Sequence, residues 1–381
     1  MTRMISEKRR LLLGAASAAG ALALAPTLSF AQQERKPRTP LSPPVKLSVG
    51  IISAMFDAIS IIASEKGYFK EEGLDVEIKA FPGSGEAAQA LAIGALDALA
   101  SGPNPMIFNA KQRNIDLTIV ASAGQHSPGH GSISFVLRRD LIESGRYKGP
   151  ADIKGMKIAS GFAAPSSWFV SELARRGGVS EREFETIQLG LPNVVAGLGN
   201  KSIDGGCINE PHATQVLNRT NGVRIMSMDQ FRPNFPNGYL LYGPSLSKKN
   251  QEAGRRYMIA YMRALRDYRD AFITKKRDGA DLVAILKKFN MPVVPETPMV
   301  DLPADGAPSF VAVDELIDWH IKLGNMKARP DLKALTDDTF RNFALQELGK
   351  GSLVPMSNAI LRAALSDSDC YFSRSLPSRP D

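Results

Sequence analysis

A glycine-rich loop in the first third of the chain is the clearest candidate for binding chemistry. Residues Gly83-Ser84-Gly85-Glu86-Ala87-Ala88 spell G-x-G-x-x-A between a strand-like alternation and a helical run. In dinucleotide-binding folds such a loop presents backbone N–H groups to a pyrophosphate at a helix N-terminus. The same donors favour a carboxylate, a sulfonate or another small anion. The loop therefore predicts an anion site.

A dinucleotide is the less favoured ligand for this loop. A ribose-binding acid should follow about 20 residues further on, but Gly102-Pro103-Asn104-Pro105 stands there instead. Glu86 would also repel a pyrophosphate at the loop itself. We therefore expect no nucleotide cofactor.

A second loop with similar chemistry lies in the middle of the chain. Residues 163–168 read AAPSSW, so Ser166 and Ser167 place two hydroxyls where a helix is predicted to start. Serines at this position commonly cap the helix, and for either serine alone capping is the simpler interpretation. Two helix starts that face one cleft would favour a shared ligand.

Catalytic and metal-binding constellations are weak in this sequence. His126 and His130 lie in QHSPGH, where the intervening Pro-Gly is incompatible with helical i, i+4 metal ligation, so we interpret them as structural or solvated. Glu210 and His212 lie close together but lack a nucleophile at a matching spacing. Trp168 is either a core aromatic or a stacking wall for a ligand.

The elements that position these loops alternate between strand and helix. Strands are predicted at 46–52, 74–81 and 98–101, with helices starting at Asp57 and Glu86. This alternation is typical of parallel sheets with helices on both faces. Four helical patterns without strands follow the last predicted strand. They span 248–273, 281–289, 311–323 and 337–348.

The chain also contains an internal repeat. Residues 155–178 follow the order of residues 46–69: a strand, a small-residue loop with an aromatic, a helix and a glycine stop. The offset stays near 107 to 111 residues, and it maps Asp97 onto Asp204. Two copies of one α/β unit predict two lobes with a ligand cleft at the carboxyl ends of their strands.

Two β-rich runs are expected to connect these lobes. They span 132–139 and 237–244, and we expect a hinge where they cross. This assigns residues 46–135 and 239–365 to the first lobe and residues 136–238 to the second. The C-terminal helices are expected on the outside of the first lobe.

The N-terminus has the pattern of a secretory signal peptide. A basic start precedes the apolar run LLLGAASAAGALALA, and a small-residue cleavage site ends at Ala31. The pair Arg9-Arg10 resembles a twin-arginine signal, with Sec export as the alternative. We expect residues 1–31 to be removed, residues 32–45 to form a Pro-rich tether and residues 366–381 to be disordered.

The charge and cysteine content exclude further classes. The formal net charge of +8 falls to +5 without the signal peptide and to about +2 without the basic residues 32–46 as well, so nucleic acid is not indicated. The chain has two cysteines, Cys207 and Cys370. They cannot supply a cysteine-based metal cluster or a disulfide framework.

The ordered series of motifs resembles the periplasmic substrate-binding proteins of ABC importers, in the nitrate, sulfonate, taurine and thiamine-precursor branch. The motifs are ASEKGYFKEEGLDVEI, ALAIGALDALASG, DIKGMKIASG and SIDGGCINEP, and the likeness runs over about residues 45–325. The resemblance implies an α/β, two-lobed type II fold in which each lobe is a mainly parallel sheet flanked by helices. It also implies a monomeric, non-enzymatic receptor that closes over a small solute and docks on a membrane permease.

By motif position, the resemblance implies ligand contacts from several loops. The implied residues are Ser53, Ala54, Met55, Phe56, Gly83, Ser84, Gly85, Glu86, Ser101, Gly102, Asn104, Phe162, Ser166, Ser167, Trp168, Asn193, Asn209 and Glu210. These loops carry no Lys or Arg, whereas Phe56, Phe81, Phe162 and Trp168 are near. We therefore expect an organic solute with an aromatic or alkyl body, with a sulfonate-like or carboxylate-like group, rather than nitrate or bicarbonate.

Two other functions are compatible with this fold class. A pyrimidine-precursor synthase would be an enzyme with a cysteine-rich iron site, which the export signal and the lack of a cysteine cluster disfavour. A periplasmic sensor that reports its ligand to a membrane kinase would have the same sequence features as an import receptor.

Overall fold

A computed structural model describes residues 38–161, 164–220 and 222–349. The predicted signal peptide, the start of the predicted tether and the predicted tail with Cys370 lie outside this range. All elements below belong to one compact unit that begins at Pro40. Among the described residues, none of the helices has the length and apolar character needed to cross a membrane.

The strands of the described residues form two five-stranded sheets and one two-stranded ribbon. They are β1 (Val45–Ile51), β2 (Leu74–Ala80), β3 (Ala98–Ser101), β4 (Thr118–Ser122), β5 (Gln125–His126), β6 (Ile133–Arg138), β7 (Lys157–Ala159), β8 (Glu185–Ile187), β9 (Gly205–Asn209), β10 (Gly222–Ser227), β11 (Phe235–Pro236) and β12 (Tyr239–Tyr242).

Helices cover the faces of both sheets. They are α1 (Ala58–Glu65), α2 (Tyr68–Glu71), α3 (Ser84–Ala92), α4 (Pro105–Phe108), α5 (Arg139–Glu143), α6 (Pro165–Arg176), α7 (Leu191–Gly199), α8 (His212–Arg219), α9 (Met228–Phe231), α10 (Gln251–Tyr268), α11 (Ala280–Lys288), α12 (Val313–Lys322) and α13 (Thr339–Leu348). Short 3₁₀ turns occur at Met55–Asp57, Lys111–Arg113 and Pro150–Ile153, and π turns occur at Ser245–Lys249 and Arg269–Ile273.

The two large sheets have the same topology. The first has the order β2-β1-β3-β12-β4, with β1 parallel to β2 and β3 and with β12 inserted antiparallel between β3 and β4. The second, read from its other edge, has the order β8-β7-β9-β6-β10, with β6 as the inserted antiparallel strand. This equivalence confirms the internal repeat.

The repeat extends to individual hydrogen bonds. In the first sheet the Asp97 carboxylate accepts from the Ser48 N–H at 2.7 Å, while the Asp97 N–H donates to the Ser48 carbonyl at 2.8 Å. In the second sheet Asp204 makes the same pair of bonds with Lys157, at 2.9 and 2.8 Å. Each aspartate therefore fixes the start of the third strand of its unit against the first strand.

The inserted strands β6 and β12 connect the two lobes. Between them β5 pairs with β11 as an antiparallel ribbon at the crossing. His126 of this ribbon is fully buried, its Nδ1 accepts from the Ser132 N–H at 3.1 Å, and burial lowers its pKa to about 3. His130 Nδ1 lies 2.7 Å from the Met299 carbonyl oxygen. Both histidines are structural here.

Three large apolar clusters fill the interior of the described residues, and a fourth, small one consists of Ala54, Phe56, Ala100 and Ala123. Ala98 and Leu99 of β3 belong to different clusters because consecutive strand residues point to opposite faces. One cluster lies between the first sheet and α1, α10, α11 and α13, and another lies between the second sheet and α7 and α8. The third cluster lies on the remaining face of both sheets and includes Phe235 of the β5–β11 ribbon. The lobes therefore share a core on the hinge side.

Helix α12 departs from the expectation that the C-terminal helices all pack on the first lobe. Its apolar residues Val313, Leu316 and Ile317 lie in the shared cluster with α6 of the second lobe. Trp319 Nε1 also donates to Glu181 Oε1 at 2.6 Å. The prediction is wrong for α12, because its apolar face completes the shared core; α10, α11 and α13 pack on the first lobe as predicted.

Candidate functional site

Two cavities that share part of their lining open between the lobes. The first, which we call the Phe56 cavity, has a volume of about 350 Å³, and the second, the Glu86 cavity, has a volume of about 940 Å³. The shared lining comes from both lobes. It consists of Ser84, Gly85, Met106, Arg113, Ala164, Ser166 and Asn209. We refer to the two cavities together as the cleft.

The first lobe presents the N-terminus of α3 to the cleft. Gly83 is the N-cap residue, in an extended conformation, and no side chain caps the helix. Ser84 and Gly85 follow it and line both cavities. The first backbone N–H groups of a helix lack intrahelical acceptors and carry partial positive charge. The loop singled out in the sequence therefore offers donors to an anion in the cleft.

The second lobe presents the N-terminus of α6. Ala164 is the N-cap residue without a side-chain cap, and Pro165 occupies the first turn. Ser166 Oγ accepts from the Gly161 N–H at 3.2 Å, and Ser167 Oγ lies 2.9 Å from Ser160 Oγ. Both hydroxyls thus bond to the loop before the helix. The capping interpretation of these serines is therefore wrong.

Arg113 gives the cleft a cation that the predicted loops lack. It lies on the 3₁₀ turn after α4 and lines both cavities. Among the described residues, no carboxylate lies within ion-pair distance of its guanidinium, and its side chain is exposed. A guanidinium offers up to five donors, which suit a carboxylate or sulfonate. Arg113 was missed because its segment matches none of the expected ligand loops.

The Phe56 cavity combines apolar and amide side chains. Phe56, Met106 and Ile133 supply apolar surface, while Asn209 and Asn237 supply amides. Asn104 also lines this cavity, but its Oδ1 accepts from Met106 N–H and Ile107 N–H, so its side chain caps α4. The cavity therefore suits a ligand with an apolar body and a few hydrogen-bonding groups.

A buried aspartate holds the loop that ends in Phe56. Asp57 Oδ2 accepts from the Ile52 and Ala54 N–H groups, both at 3.0 Å, while Oδ1 has no partner. Burial raises the pKa of Asp57 to about 7 although these backbone hydrogen bonds lower it. Ser53 between them has φ of 59°, in the left-handed region. The carboxyl therefore fixes an unusual turn at the edge of the cleft.

His212 reaches the cleft from α8 of the second lobe. It lines the Glu86 cavity, as does Glu86 itself. Burial lowers the pKa of His212, and the Gln215 side chain and the Ser53 backbone offset part of this effect. A histidine held neutral adds a polar group to the cleft without adding a positive charge.

The structure brings about half of the predicted contact residues together at the cleft. These residues are Phe56, Gly83, Ser84, Gly85, Glu86, Gly102, Asn104, Ser166 and Asn209. The others that the structure describes do not line the cavities. They are Ser53, Ala54, Met55, Ser101, Ser167, Trp168, Asn193 and Glu210. Phe162 lies outside the described residues.

Trp168 lies in the shared core rather than on the cleft. Its side chain is 1% exposed, and its ring centroid lies 5.6 Å from that of Phe231 and 5.1 Å from that of Phe235. Phe81 likewise packs half-buried against the core. Of the predicted aromatic walls in the described residues, Phe56 alone lines the cleft. The core-aromatic interpretation of Trp168 is the correct one.

Glu210 forms a buried ion pair with Arg224. Its carboxyl is fully buried, accepts from the Thr214 N–H at 2.9 Å and lies 2.6 Å from Arg224 Nη2. Burial raises the pKa of Glu210, and the Thr214 N–H and Arg224 counteract this. The pair stabilises the turn between β9 and α8, so Asn209 points to the cleft while Glu210 points inward.

The cleft has no evident catalytic apparatus among the described residues. No group of three His, Cys, Asp or Glu side chains is arranged to hold a metal ion there. Cys207 lines the Glu86 cavity, but burial raises the pKa of its thiol, which disfavours the nucleophilic thiolate. The arrangement is suited to binding.

Comparison with known proteins gives one matching family and several curated relatives. The sequence profile of the NMT1-like family matches residues 41–284. A Brucella abortus (strain 2308) protein, named only as a provisional binding protein, is 27% identical over 239 residues, which are 62% of this chain and 70% of that protein.

Solved structures share the fold at low sequence identity. The periplasmic nitrate-binding protein NrtA of Synechocystis PCC 6803 has a TM-score of 0.66 and 18% identity, over 82% of this chain and 92% of that one. The periplasmic aliphatic sulphonate binding protein SsuA of Escherichia coli has a TM-score of 0.59 and 17% identity, over 80% and 100%. The desulfurization enzyme DSZB has a TM-score of 0.58 and 12% identity, over 80% and 99%. The predicted two-lobed α/β fold is thereby confirmed.

Proposed function

This chain belongs to the NMT1-like family, and we propose that it is the solute-binding protein of an ABC importer, specific for a small organic anion. The solute has a carboxylate or sulfonate group and an apolar or aromatic body. The protein works outside the cytoplasm as a monomer and delivers its solute to a permease. The single observation that carries this proposal is Arg113, which has no carboxylate partner among the described residues and lies beside an apolar cavity between the lobes.

The anionic group is accommodated by Arg113 together with the uncapped N-terminus of α3. A guanidinium and a helix N-terminus both favour negative charge, and their effects add when they face the same group. Glu86 also lines the larger cavity, so we place the anionic group in the Phe56 cavity, which Glu86 does not line.

The body of the solute packs on Phe56, Met106 and Ile133. Nitrate and bicarbonate have no apolar atoms to bury there, so this surface would contribute nothing to their binding. A cavity of about 350 Å³ also lies at the lower end of the range for organic ligands. The shape and polarity therefore support an organic anion.

Solute binding is coupled to closure of the lobes. Ser84 and Arg113 come from the first lobe, whereas Ser166 and Asn209 come from the second. A ligand that contacts both sets stabilises the closed form because the open form cannot make all the contacts at once. The permease then recognises the closed form.

An enzymatic role is the alternative, because the desulfurization enzyme DSZB has the same fold. Its likeness to this chain concerns the fold. Cys207, the one cysteine among the described residues, has a raised pKa and lies on β9 inside the second lobe. The proposal of a binding protein is therefore preferred.

A thermal-shift panel on residues 32–381 tests the proposal. The panel contains alkyl and aromatic sulfonates, aromatic carboxylates, pyrimidines, nitrate and bicarbonate. A ligand at about 100 times its Kd adds roughly 2.7 kcal/mol to the free energy of unfolding. We expect organic anions to raise Tm while nitrate and bicarbonate leave it unchanged. A rise with pyrimidines or inorganic anions alone would refute the proposed solute class.

A further inference from the structure

The amide nitrogen of one buried side chain in the hinge has no hydrogen-bond partner among the described residues. Asn237 connects β11 to β12 and is 7% exposed. Its Oδ1 accepts from Ser132 Oγ at 2.7 Å, which leaves Nδ2 as a donor without a partner. Buried donors are nearly always satisfied in folded proteins, since an unsatisfied one is costly. The Nδ2 group of Asn237 therefore requires a hydrogen-bond acceptor that the described part of the chain does not provide.

The unpartnered donor belongs to a residue of the cleft. Asn237 lines the Phe56 cavity together with Phe56 and Gly102. The adjacent Gly238 packs so closely on Phe56 that a Cβ at this glycine would lie 2.8 Å from Phe56 Cβ. The missing partner of Nδ2 can therefore come from a solute in this cavity.

The surroundings hold the Asn237 side chain in one place. Its backbone N–H donates to the Gly124 carbonyl at 2.8 Å. Gly124 has φ of +123°, and a Cβ there would lie 3.3 Å from Asn237 Nδ2 and 3.1 Å from Val300 Cγ2. Only a glycine combines this backbone conformation with the space for the amide. A donor that is fixed before binding loses little entropy when it engages a ligand.

We propose that Asn237 Nδ2 donates a hydrogen bond to an acceptor oxygen of the bound solute and thereby makes the hinge part of the ligand site. This inference rests on the proposed function, because it assigns a specificity-determining residue to the same cavity. Arg113 selects the charge of the solute, whereas Asn237 selects an acceptor oxygen near Phe56. Because Asn237 lies on the connection between the lobes, its hydrogen bond also couples occupancy of the cavity to the hinge.

The test replaces both polar partners at once, so that neither is left unsatisfied. In the double variant Ser132→Ala, Asn237→Leu the hydrogen-bonded pair becomes apolar, and Leu keeps the branched shape and the number of heavy atoms of Asn; replacing both partners in this way can be nearly neutral for stability. The matched control is Ser134→Ala. Ser134 is buried on β6, close in the chain to Ser132, and also has an atom without a partner among the described residues, Oγ, but it does not line the Phe56 cavity.

Each variant, as residues 32–381, is titrated by calorimetry with propanesulfonate, benzenesulfonate and benzoate, and its Tm is measured without ligand. We expect the double variant to keep its ligand-free Tm and to bind the probe that wild type prefers roughly tenfold to hundredfold more weakly. The Ser134→Ala control should keep the wild-type Kd. Equal affinities of wild type and the double variant would overturn the assignment of Asn237.

Two further outcomes separate this inference from the proposed function. A large loss of Tm in the double variant with an unchanged Kd would give Asn237 a structural role and overturn the inference alone. Absence of binding of all three probes to wild type would count against the proposed function, and the inference would fall with it.

Discussion

Stability should depend on pH through one buried carboxyl at the edge of the cleft. Asp57 is fully buried, two backbone N–H groups contact its Oδ2, and its Oδ1 has no partner. Its pKa in the folded protein is raised from 3.8 to about 7, with burial as the main cause. Between these two values the folded state keeps the proton while the unfolded state releases it.

The sign of the effect follows from this difference. Because unfolding releases the proton, the contribution of Asp57 to stability is full below about pH 4 and falls as the pH rises through about 7. From pH 5 to pH 8 the change in the free energy of unfolding corresponds to about two pKa units, or roughly 3 kcal/mol at 1.36 kcal/mol per unit. The substitution Asp57→Asn should remove this dependence of stability on pH. Its amide oxygen can accept the same Ile52 and Ala54 N–H groups.

The assay is urea unfolding of wild type and Asp57→Asn at pH 5, 6, 7 and 8. We expect the variant to gain roughly 3 kcal/mol relative to wild type between pH 5 and pH 8, with no further gain above pH 8. His126 and His320, whose pKa values burial lowers to about 3 and about 4, affect both proteins equally and cancel in the difference. A difference that is constant over this range would refute the raised pKa of Asp57.

Three further predictions concern the cleft and its supports. Arg113→Met should weaken binding of an organic anion at least tenfold, or by roughly 1.4 kcal/mol, as measured by calorimetry. Lys111→Met on the same turn should leave the affinity unchanged. Equal effects of the two substitutions would reject Arg113 as the anion contact. Trp168→Ala should cost about 3–5 kcal/mol of stability in urea yet change Kd less than about threefold; a loss of affinity without a loss of stability would place Trp168 in the site. Arg224→Met should lower the free energy of unfolding by about 3 kcal/mol because it leaves the buried Glu210 without its ion-pair partner. The double variant with Glu210→Gln should regain most of this stability. Additive losses in the double variant would contradict an energetic coupling between Arg224 and Glu210.

Local patterns in the sequence predicted many of the elements, although β4, α8 and β10 were not among them. The helix predicted over 311–323 is α12, Val313–Lys322, and the strand predicted over 98–101 is β3, Ala98–Ser101. The equivalence of Asp97 and Asp204 was visible because each repeat retains the aspartate that bonds to its first strand. Periodicity, glycine stops and the repeat therefore determine most of the two-lobed architecture.

The cleft was predicted less completely, because much of it depends on contacts distant in sequence. The partners of Trp168, Phe231 and Phe235, lie more than 60 residues away and bury it in the shared core. Arg113 reaches the cleft from a turn that has no counterpart among the expected loops. The role of Asn237 can be inferred only from the structure, in which its Nδ2 has no hydrogen-bond partner among the described residues. Burial and hydrogen-bond satisfaction of single side chains cannot be derived from a local pattern.

The cleft should bind one organic anion, and the negative charge of that solute should be required for tight binding. The most direct test is calorimetric titration of residues 32–381 with benzoate, benzenesulfonate and propanesulfonate, each beside its neutral amide or sulfonamide. We expect at least one anion to bind with a stoichiometry of about 1, and its neutral counterpart to bind at least tenfold more weakly, by roughly 1.4 kcal/mol. Equal affinity for an anion and its neutral counterpart, or no saturable binding of any anion, would contradict the recognition of an organic anion through its charge.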